Sequence, residues 1–150
     1  MSYEFLLKDI KNNLTQKSIG TDKGLAKIGD SIVNLTYSIA KSIVLTRNSK
    51  INNSIRTGVK VSKTILANAL KEANMKCFSK TRADAHDMAD TVEAVVAYVW
   101  LSKKVTIEDI INILVDSLES NLTVRSEEIK NATIAFRNLL LEIIKFLPEN

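Results

Sequence analysis

The sequence is poor in proline, glycine, cysteine and histidine. Its 150 residues include 1 proline, 4 glycines, 1 cysteine and 1 histidine. Sandwiches and barrels of many short strands need turns rich in glycine and proline, so this scarcity favours helices. A single cysteine and a single histidine exclude a disulfide framework and a zinc site built from several such side chains. Any metal ion in this protein would have to be held by carboxylates.

Long apolar runs are missing as well. No stretch approaches the roughly 18 consecutive apolar residues of a membrane span. The N-terminal region, with its acidic Glu4, does not resemble a signal peptide. We therefore expect a cytoplasmic protein with no membrane partner. Because 45% of the residues are apolar, the chain can form one sizeable core, and we expect a single domain over 1–150.

Apolar residues recur at helical spacing through most of the chain. Two segments, 23–46 and 83–104, are apolar around much of their circumference, which is typical of central helices. The polar stretch 46–63 interrupts the periodicity and predicts a long loop or a short irregular helix. The fold class is therefore all-α. The six predicted helices cover 3–17, 23–46, 60–73, 83–104, 106–119 and 123–144.

Two of these helices have a recognisable start. Thr106 and Asp109 have the spacing of a capping box, in which each side chain bonds to the backbone of the other residue. Thr123 is the predicted start of the last helix.

Basic residues are concentrated in one part of the chain. Residues 41–82 contain ten Lys or Arg and one acid, a charge of +9, so the remainder carries −5 within the overall +4. Lysine and arginine bind nucleic-acid phosphates by releasing condensed counterions, which makes this stretch a candidate RNA surface. A solvated loop face explains the same charge without a ligand. The candidate phosphate contacts are Arg47, Lys50, Arg56, Lys60 and Lys63.

Three acids lie on the two predicted central helices. Asp90 and Glu93 are three residues apart and project from one side of a helix, and Asp30 lies on the other helix. An ionised carboxylate among apolar side chains is costly unless it is paired, protonated or bound to a cation. If the helices pack together, these oxygens suit Mg²⁺ or Mn²⁺, which can promote phosphodiester hydrolysis. Asn34, one turn from Asp30, is a candidate to orient that carboxylate.

The same residues have structural explanations. Asp90 could be an acid favoured by the dipole at a helix start, although Glu93 lies too far into the helix for that. Asp30 could form an ion pair with a basic residue. His86, one turn before Asp90, is more simply a surface or structural histidine than a ligand.

The segments around these acids resemble the catalytic domain of the ribonuclease III family. Residues 28–35 (IGDSIVNL) are similar to its LGD[SA]VLN signature, and residues 89–102 (ADTVEAVVAYVWLS) are similar to its ADAxEALIGAIYLD motif. Between them, residues 64–72 resemble its TLAxxAxxxGL helix. By this resemblance, Asp30, Asp90 and Glu93 are three of four metal-binding carboxylates. The resemblance also implies an all-helical fold, an obligate dimer and Mg²⁺-dependent hydrolysis of double-stranded RNA.

The sequence departs from the family pattern at the signature helix. The family commonly reads ERLEFLGD, and Lys23 and Ala26 stand here in place of its two glutamates. The fourth carboxylate is therefore absent from its usual place, as it is in minimal single-domain members. The length also leaves no room for the double-stranded-RNA-binding domain of typical members, so we expect the basic stretch or a dimer surface to hold the substrate.

The sequence thus predicts a homodimeric endoribonuclease acting on double-stranded or structured RNA, with Mg²⁺ or Mn²⁺ as its cofactor. Two alternatives stay open. A catalytically degenerate member could serve as a scaffold for structured RNA or a ribonucleoprotein, as the missing glutamate suggests. The second alternative is a helical metal-dependent pyrophosphatase, which also uses acids on paired helices. Such an enzyme needs two pairs of acids, and only one pair in this sequence is convincing.

Overall fold

The computed structural model of the protein describes residues 2–50, 53–118 and 121–149. Within these residues the regular structure is entirely helical, which confirms the predicted all-α class. Three short 3-10 turns, Glu4–Leu7, Lys76–Phe78 and Ile144–Phe146, accompany the α-helices. The α-helices are α1 (Lys8–Lys11), α2 (Gln16–Gly20), α3 (Lys23–Arg47), α4 (Lys63–Glu72), α5 (Ala85–Leu101), α6 (Ile107–Ser117) and α7 (Arg125–Ile143).

Helix α5 forms the centre of the molecule. It packs against α2, α3 and α4, while α6 packs on α3, and α7 packs on α4 and α6. Every residue from 91 to 99 is buried, so α5 is surrounded on all sides. Its many valines lower intrinsic helix propensity, and burial in the core stabilises the helix instead. The two segments predicted to be central, 23–46 and 83–104, are the two helices that cross there.

The crossing of α3 and α5 depends on Gly29. A Cβ atom at this position would lie 1.8 Å from the carbonyl oxygen of Glu93 and 2.3 Å from its carbonyl carbon. The two helix backbones therefore approach each other more closely than any side chain would allow. Because Asp30 follows Gly29, the contact of Gly29 with Glu93 also brings two of the predicted site residues, Asp30 and Glu93, close together.

Residues 53–62 lack regular secondary structure and run antiparallel to α3. Every second backbone N–H from 55 to 61 donates to a side chain of α3, at 2.8 to 3.0 Å. The acceptors are four residues apart along α3, which is about 6 Å, and the donors are two residues apart along the extended segment, which is about 6.6 Å. Because these spacings are nearly equal, each donor meets the next acceptor. The predicted polar loop is thus held against α3. The four donor and acceptor pairs are Ile55 with Thr46, Thr57 with Ser42, Val59 with Ser38, and Val61 with Asn34.

Several predicted boundaries are wrong, and the described residues form seven α-helices instead of the predicted six. The helices expected over 60–73 and 83–104 begin at Lys63 and Ala85, because the side chains of Ser62 and Asp84 cap them. The helix expected over 3–17 is a 3-10 turn followed by α1 and α2, because Thr15 forms a capping box with Ser18 and starts a new helix. The last helix begins at Arg125, and the Thr123 hydroxyl donates to Asn121 at 3.3 Å instead of capping it. The capping box of Thr106 with Asp109 is confirmed. Residue 119, the predicted end of that helix, lies outside the described residues.

We expect Gly29→Ala to lower the free energy of unfolding by more than about 3 kcal/mol, the upper range of ordinary overpacking. The added methyl group would have to push α3 away from the α5 backbone. Gly24→Ala is the matched control on the same helix, because its Cβ would meet only a side-chain oxygen of Asp22, at 3.3 Å. Urea denaturation measures both variants. Equal stability of Gly29→Ala and wild type would contradict the close approach.

Candidate active site

The three predicted carboxylates line one cavity of about 320 Å³. Asp30 reaches it from α3, and Asp90 and Glu93 reach it from α5. The lining is otherwise rich in positive charge. Its remaining titratable side chains are those of Lys23, Lys27, Lys60, Lys63 and His86.

The carboxyl groups of Asp30 and Glu93 lie close together in this cavity. Glu93 is only 8% exposed. Burial raises the pKa of Glu93 to about 8, and the hydrogen bond to Asp30 and the charges of Asp30 and Asp90 act in the same direction, against a weaker effect of Lys60. At neutral pH and without a cation, Glu93 is therefore largely protonated.

Asn34 connects this pair to the segment before α4. Its Nδ2 donates to Oδ1 of Asp30 at 3.1 Å, and its Oδ1 accepts from the backbone N–H of Val61 at 2.8 Å. The two bonds use both ends of the amide and hold it in one orientation. Asn34 thus positions the Asp30 carboxylate relative to Lys60, which precedes Val61.

Asp90 has different partners. Its Oδ2 lies 3.0 Å from Nζ of Lys23 and 3.6 Å from Nε2 of His86. His86 also contacts Nζ of Lys63 through its Nδ1. The hydrogen bond and the negative charge of Asp90 raise the pKa of Lys23. Because α5 begins at Ala85, Asp90 lies beyond the first turn, and the helix dipole does not explain its presence.

Residues 23–148 match the family model described as Ribonuclease III. The chain belongs to the ribonuclease III family. The match begins at the first residue of α3 and includes all three carboxylates. No curated protein sequence matches the chain significantly. Family membership indicates a ribonuclease that acts on structured RNA, and members of the family typically use a divalent metal ion.

The side chains of this ribonuclease III cavity include the oxygen donors that a hard cation needs, but they do not form a complete ligand set. No three His, Cys, Asp or Glu side chains in the described parts of the chain are arranged to hold a metal ion. Asp30 and Glu93 present adjacent carboxyl oxygens, the donors that Mg²⁺ and Mn²⁺ prefer. Asp90 is already paired with Lys23. Ala26, at the place of the fourth carboxylate, lines the cavity without offering a donor.

The structure separates the five predicted RNA contacts into two groups. Lys60 and Lys63 line the carboxylate cavity. Arg47 and Arg56 line a different groove, between the C-terminal half of α3 and residues 54–57. Lys50 is exposed beyond the end of α3 and lines neither.

Sequence reasoning did not assign Lys23 and Lys27 to the site. A signal for both is present, because Lys23, Lys27, Asp30 and Asn34 follow one another at spacings of four, three and four along α3. Residues at this spacing share one helix face. The face that carries the candidate ligand therefore also carries two lysines.

A second group of charges, away from the cavity, was also missed. Glu128 on α7 is buried and accepts hydrogen bonds from Lys41 at 2.7 Å, Tyr37 at 2.8 Å and Arg125 at 3.0 Å. The bonds from Lys41 and Tyr37 join α3 to α7, and the bond from Arg125 lies within α7. Lys41, which was counted in the basic stretch, is therefore neutralised within the protein and is not available to RNA.

None of the described helices is both long and apolar enough to cross a membrane. The cytoplasmic location stays a prediction.

The stability of the metal-free protein should depend on the protonation of Glu93. Its folded pKa of about 8 lies above the ordinary 4.5, so between these values the folded state binds more protons than the unfolded state. The free energy of unfolding should therefore fall as the pH rises through this window. One pKa unit corresponds to about 1.4 kcal/mol, and we expect a fall of at least about 2 kcal/mol.

Urea denaturation from pH 5 to pH 8.5 in a chelator measures this dependence. Glu93→Gln should remove it, and Glu72→Gln, an exposed acid at the end of α4, should not. An identical pH dependence in wild type and Glu93→Gln would show that Glu93 is not the titrating group.

Proposed function

We propose that this protein is a divalent-metal-dependent endoribonuclease that hydrolyses phosphodiester bonds in double-stranded or structured RNA. The presence of Asp30 and the buried Glu93 side by side in a cavity lined by lysines is the observation that carries the proposal. Two adjacent carboxyl groups retain a proton unless a cation replaces it. The surrounding lysines attract the phosphates of the substrate.

In this proposal Asp30 and Glu93 hold Mg²⁺ or Mn²⁺, with Asp90 beside them. The ion would stabilise the negative charge that develops during phosphodiester hydrolysis. Asn34 keeps the Asp30 carboxylate oriented through its bond at 3.1 Å. Lys60 and Lys63 bind phosphate oxygens at the cavity.

The substrate would extend from the cavity along residues 53–62. Arg56 and Lys60 are both exposed and alternate with the residues that bond to α3. Four extended residues span about 13 Å, so these two cations can contact separate phosphates of one RNA. Arg47 and Lys50 would extend the contact beyond the end of α3. Proteins recognise double-stranded RNA largely through its shape, phosphates and 2′-hydroxyls, which suits such a row of cations.

A specific observation favours the scaffold alternative. Ala26 supplies no fourth carboxylate, and Lys23 neutralises Asp90 at 3.0 Å. A cavity with fewer free carboxylates and several lysines could bind structured RNA without hydrolysing it. A comparison of duplex cleavage with duplex binding separates this function from the nuclease.

We expect the wild-type protein to cut a labelled RNA duplex in Mg²⁺ or Mn²⁺ and to leave it intact in a chelator. Asp30→Asn and Glu93→Gln should each reduce the rate at least about 100-fold, since metal ions supply several kcal/mol of transition-state stabilisation. Asp116→Asn, an exposed acid on α6, is the control and should cut normally. Salt-sensitive duplex binding without cleavage would support the scaffold, and equal cleavage by wild type and Glu93→Gln would contradict the assigned site.

The proposed enzyme is a homodimer. Helix α3 exposes Leu35 and Ile39, at 50% and 37%, one turn apart on a single face, while the opposite face of the helix is buried in the core. Partly buried Ile28 and Ile43 lie on either side of them along the helix. Exposed apolar rows of this kind are typical of surfaces that pair with a second copy.

Sedimentation at micromolar concentration should therefore show a dimer. Leu35→Lys should convert it to a monomer, because the new charge would be buried in the interface without a partner. Leu141→Lys on α7 is the matched control, because Leu141 is also 50% exposed. A monomeric wild type, or a dimer that Leu35→Lys leaves intact, would contradict this interface.

A further inference from the structure

Lys23 is a permanent positive charge placed among the candidate metal ligands. Its Nζ lies 3.0 Å from Oδ2 of Asp90, although 67% of the lysine side chain is exposed. Lys23 is also the first residue of α3, where the helix dipole disfavours a cation. The partner that stabilises this ammonium group is therefore Asp90, on the neighbouring helix.

The cavity has two electrically different sides. On one side, Asp30 and Glu93 line the cavity together, Nδ2 of Asn34 donates to Asp30 at 3.1 Å, and Lys60 acts on Glu93 through its charge without forming an ion pair with it. On the other side, Asp90 faces Lys23 at 3.0 Å and His86 at 3.6 Å. A cation therefore meets two carboxyl groups that form no ion pair with any described residue on the first side, and a carboxylate already paired with Lys23 on the second.

We infer that Lys23 takes the place of a second divalent cation, so that the site binds one Mg²⁺ or Mn²⁺, between Asp30 and Glu93. This inference rests on the proposed metal-dependent function, and it specifies in addition how many metal ions the site binds. The ions of two-metal sites lie about 3.5–4 Å apart and share ligands. An ammonium group already bonded to Asp90 occupies one of those ligands and repels a second ion.

An ammonium group in place of a second metal ion also changes how this side of the cavity can bind RNA. A lysine ammonium has three N–H donors and carries its charge without any coordination geometry. Lys23 can keep one hydrogen bond to Asp90 and donate another to a phosphate oxygen. It thereby supplies part of the charge stabilisation that a second ion would provide.

The number of bound ions tests the inference directly. We would titrate the full chain with Mn²⁺ alone, using calorimetry for the stoichiometry and electron paramagnetic resonance for neighbouring ions. The wild type should bind one Mn²⁺ per chain. Lys23→Glu should bind two, with the spectral coupling of adjacent Mn²⁺ ions, because the variant frees Asp90 and adds a carboxylate.

Lys27→Glu is the matched control. Lys27 lies one turn further along α3, lines the same cavity and forms no ion pair with any described residue. Its change to glutamate alters the charge by the same amount without freeing Asp90, so this variant should still bind one ion. Lys23→Gln provides a second variant in case Lys23→Glu does not fold, and it too should gain a second, weaker Mn²⁺.

The outcomes distinguish this inference from the proposed function. Two Mn²⁺ ions on the wild type, or one on a folded Lys23→Glu, would overturn the role of Lys23 while leaving the metal-dependent nuclease intact. A second ion on Lys27→Glu would also overturn it, because added negative charge alone would then suffice. No Mn²⁺ on the wild type would overturn the proposed function and the inference together.

Discussion

The contact of Gly29 with the backbone of Glu93 is the constraint on which the rest of the site depends. Two helices that meet backbone to backbone have little freedom to slide or rotate, because any side chain at the crossing would separate them. The residue after Gly29 is an aspartate and the residue it touches is a glutamate. The crossing therefore places two carboxyl groups together, and the surrounding core keeps water from one of them. An unfavourable electrostatic arrangement is maintained by favourable packing.

Helix α3 performs a different task on each of its faces. One face packs against α5 and the core, and a second carries Lys23, Lys27, Asp30 and Asn34 into the cavity. A third bonds to residues 53–62 through a series of hydroxyl and amide side chains at four-residue intervals. The fourth exposes Leu35 and Ile39. Asn34 belongs to both the second and third faces, so one side chain links the candidate ligand to the basic segment.

The fold places the cations of the basic stretch, residues 41–82, in different parts of the molecule. Lys41 pairs with the buried Glu128 on α7, whereas Lys60 and Lys63 contribute to the cavity. Lys23, from outside the stretch, contributes to the same cavity and pairs with Asp90. The positive potential near the carboxylates therefore comes from two separate parts of the chain, the start of α3 and residues 60–63. Counting charges along the sequence locates a basic segment but does not say which cations meet.

The sequence by itself determined the all-α class, the two central helices, the Thr106 cap and the carboxylates that line the cavity. Each of these depends on residues within a few positions of one another, through helical periodicity, capping or a short motif. Only the tertiary structure decided that Lys23 pairs with Asp90, 67 residues away, and that Tyr37 pairs with Glu128, 91 residues away. Such pairs exist only where helix crossings bring distant side chains together. Local sequence rules contain the spacing along a helix, but they do not contain the position of one helix against another.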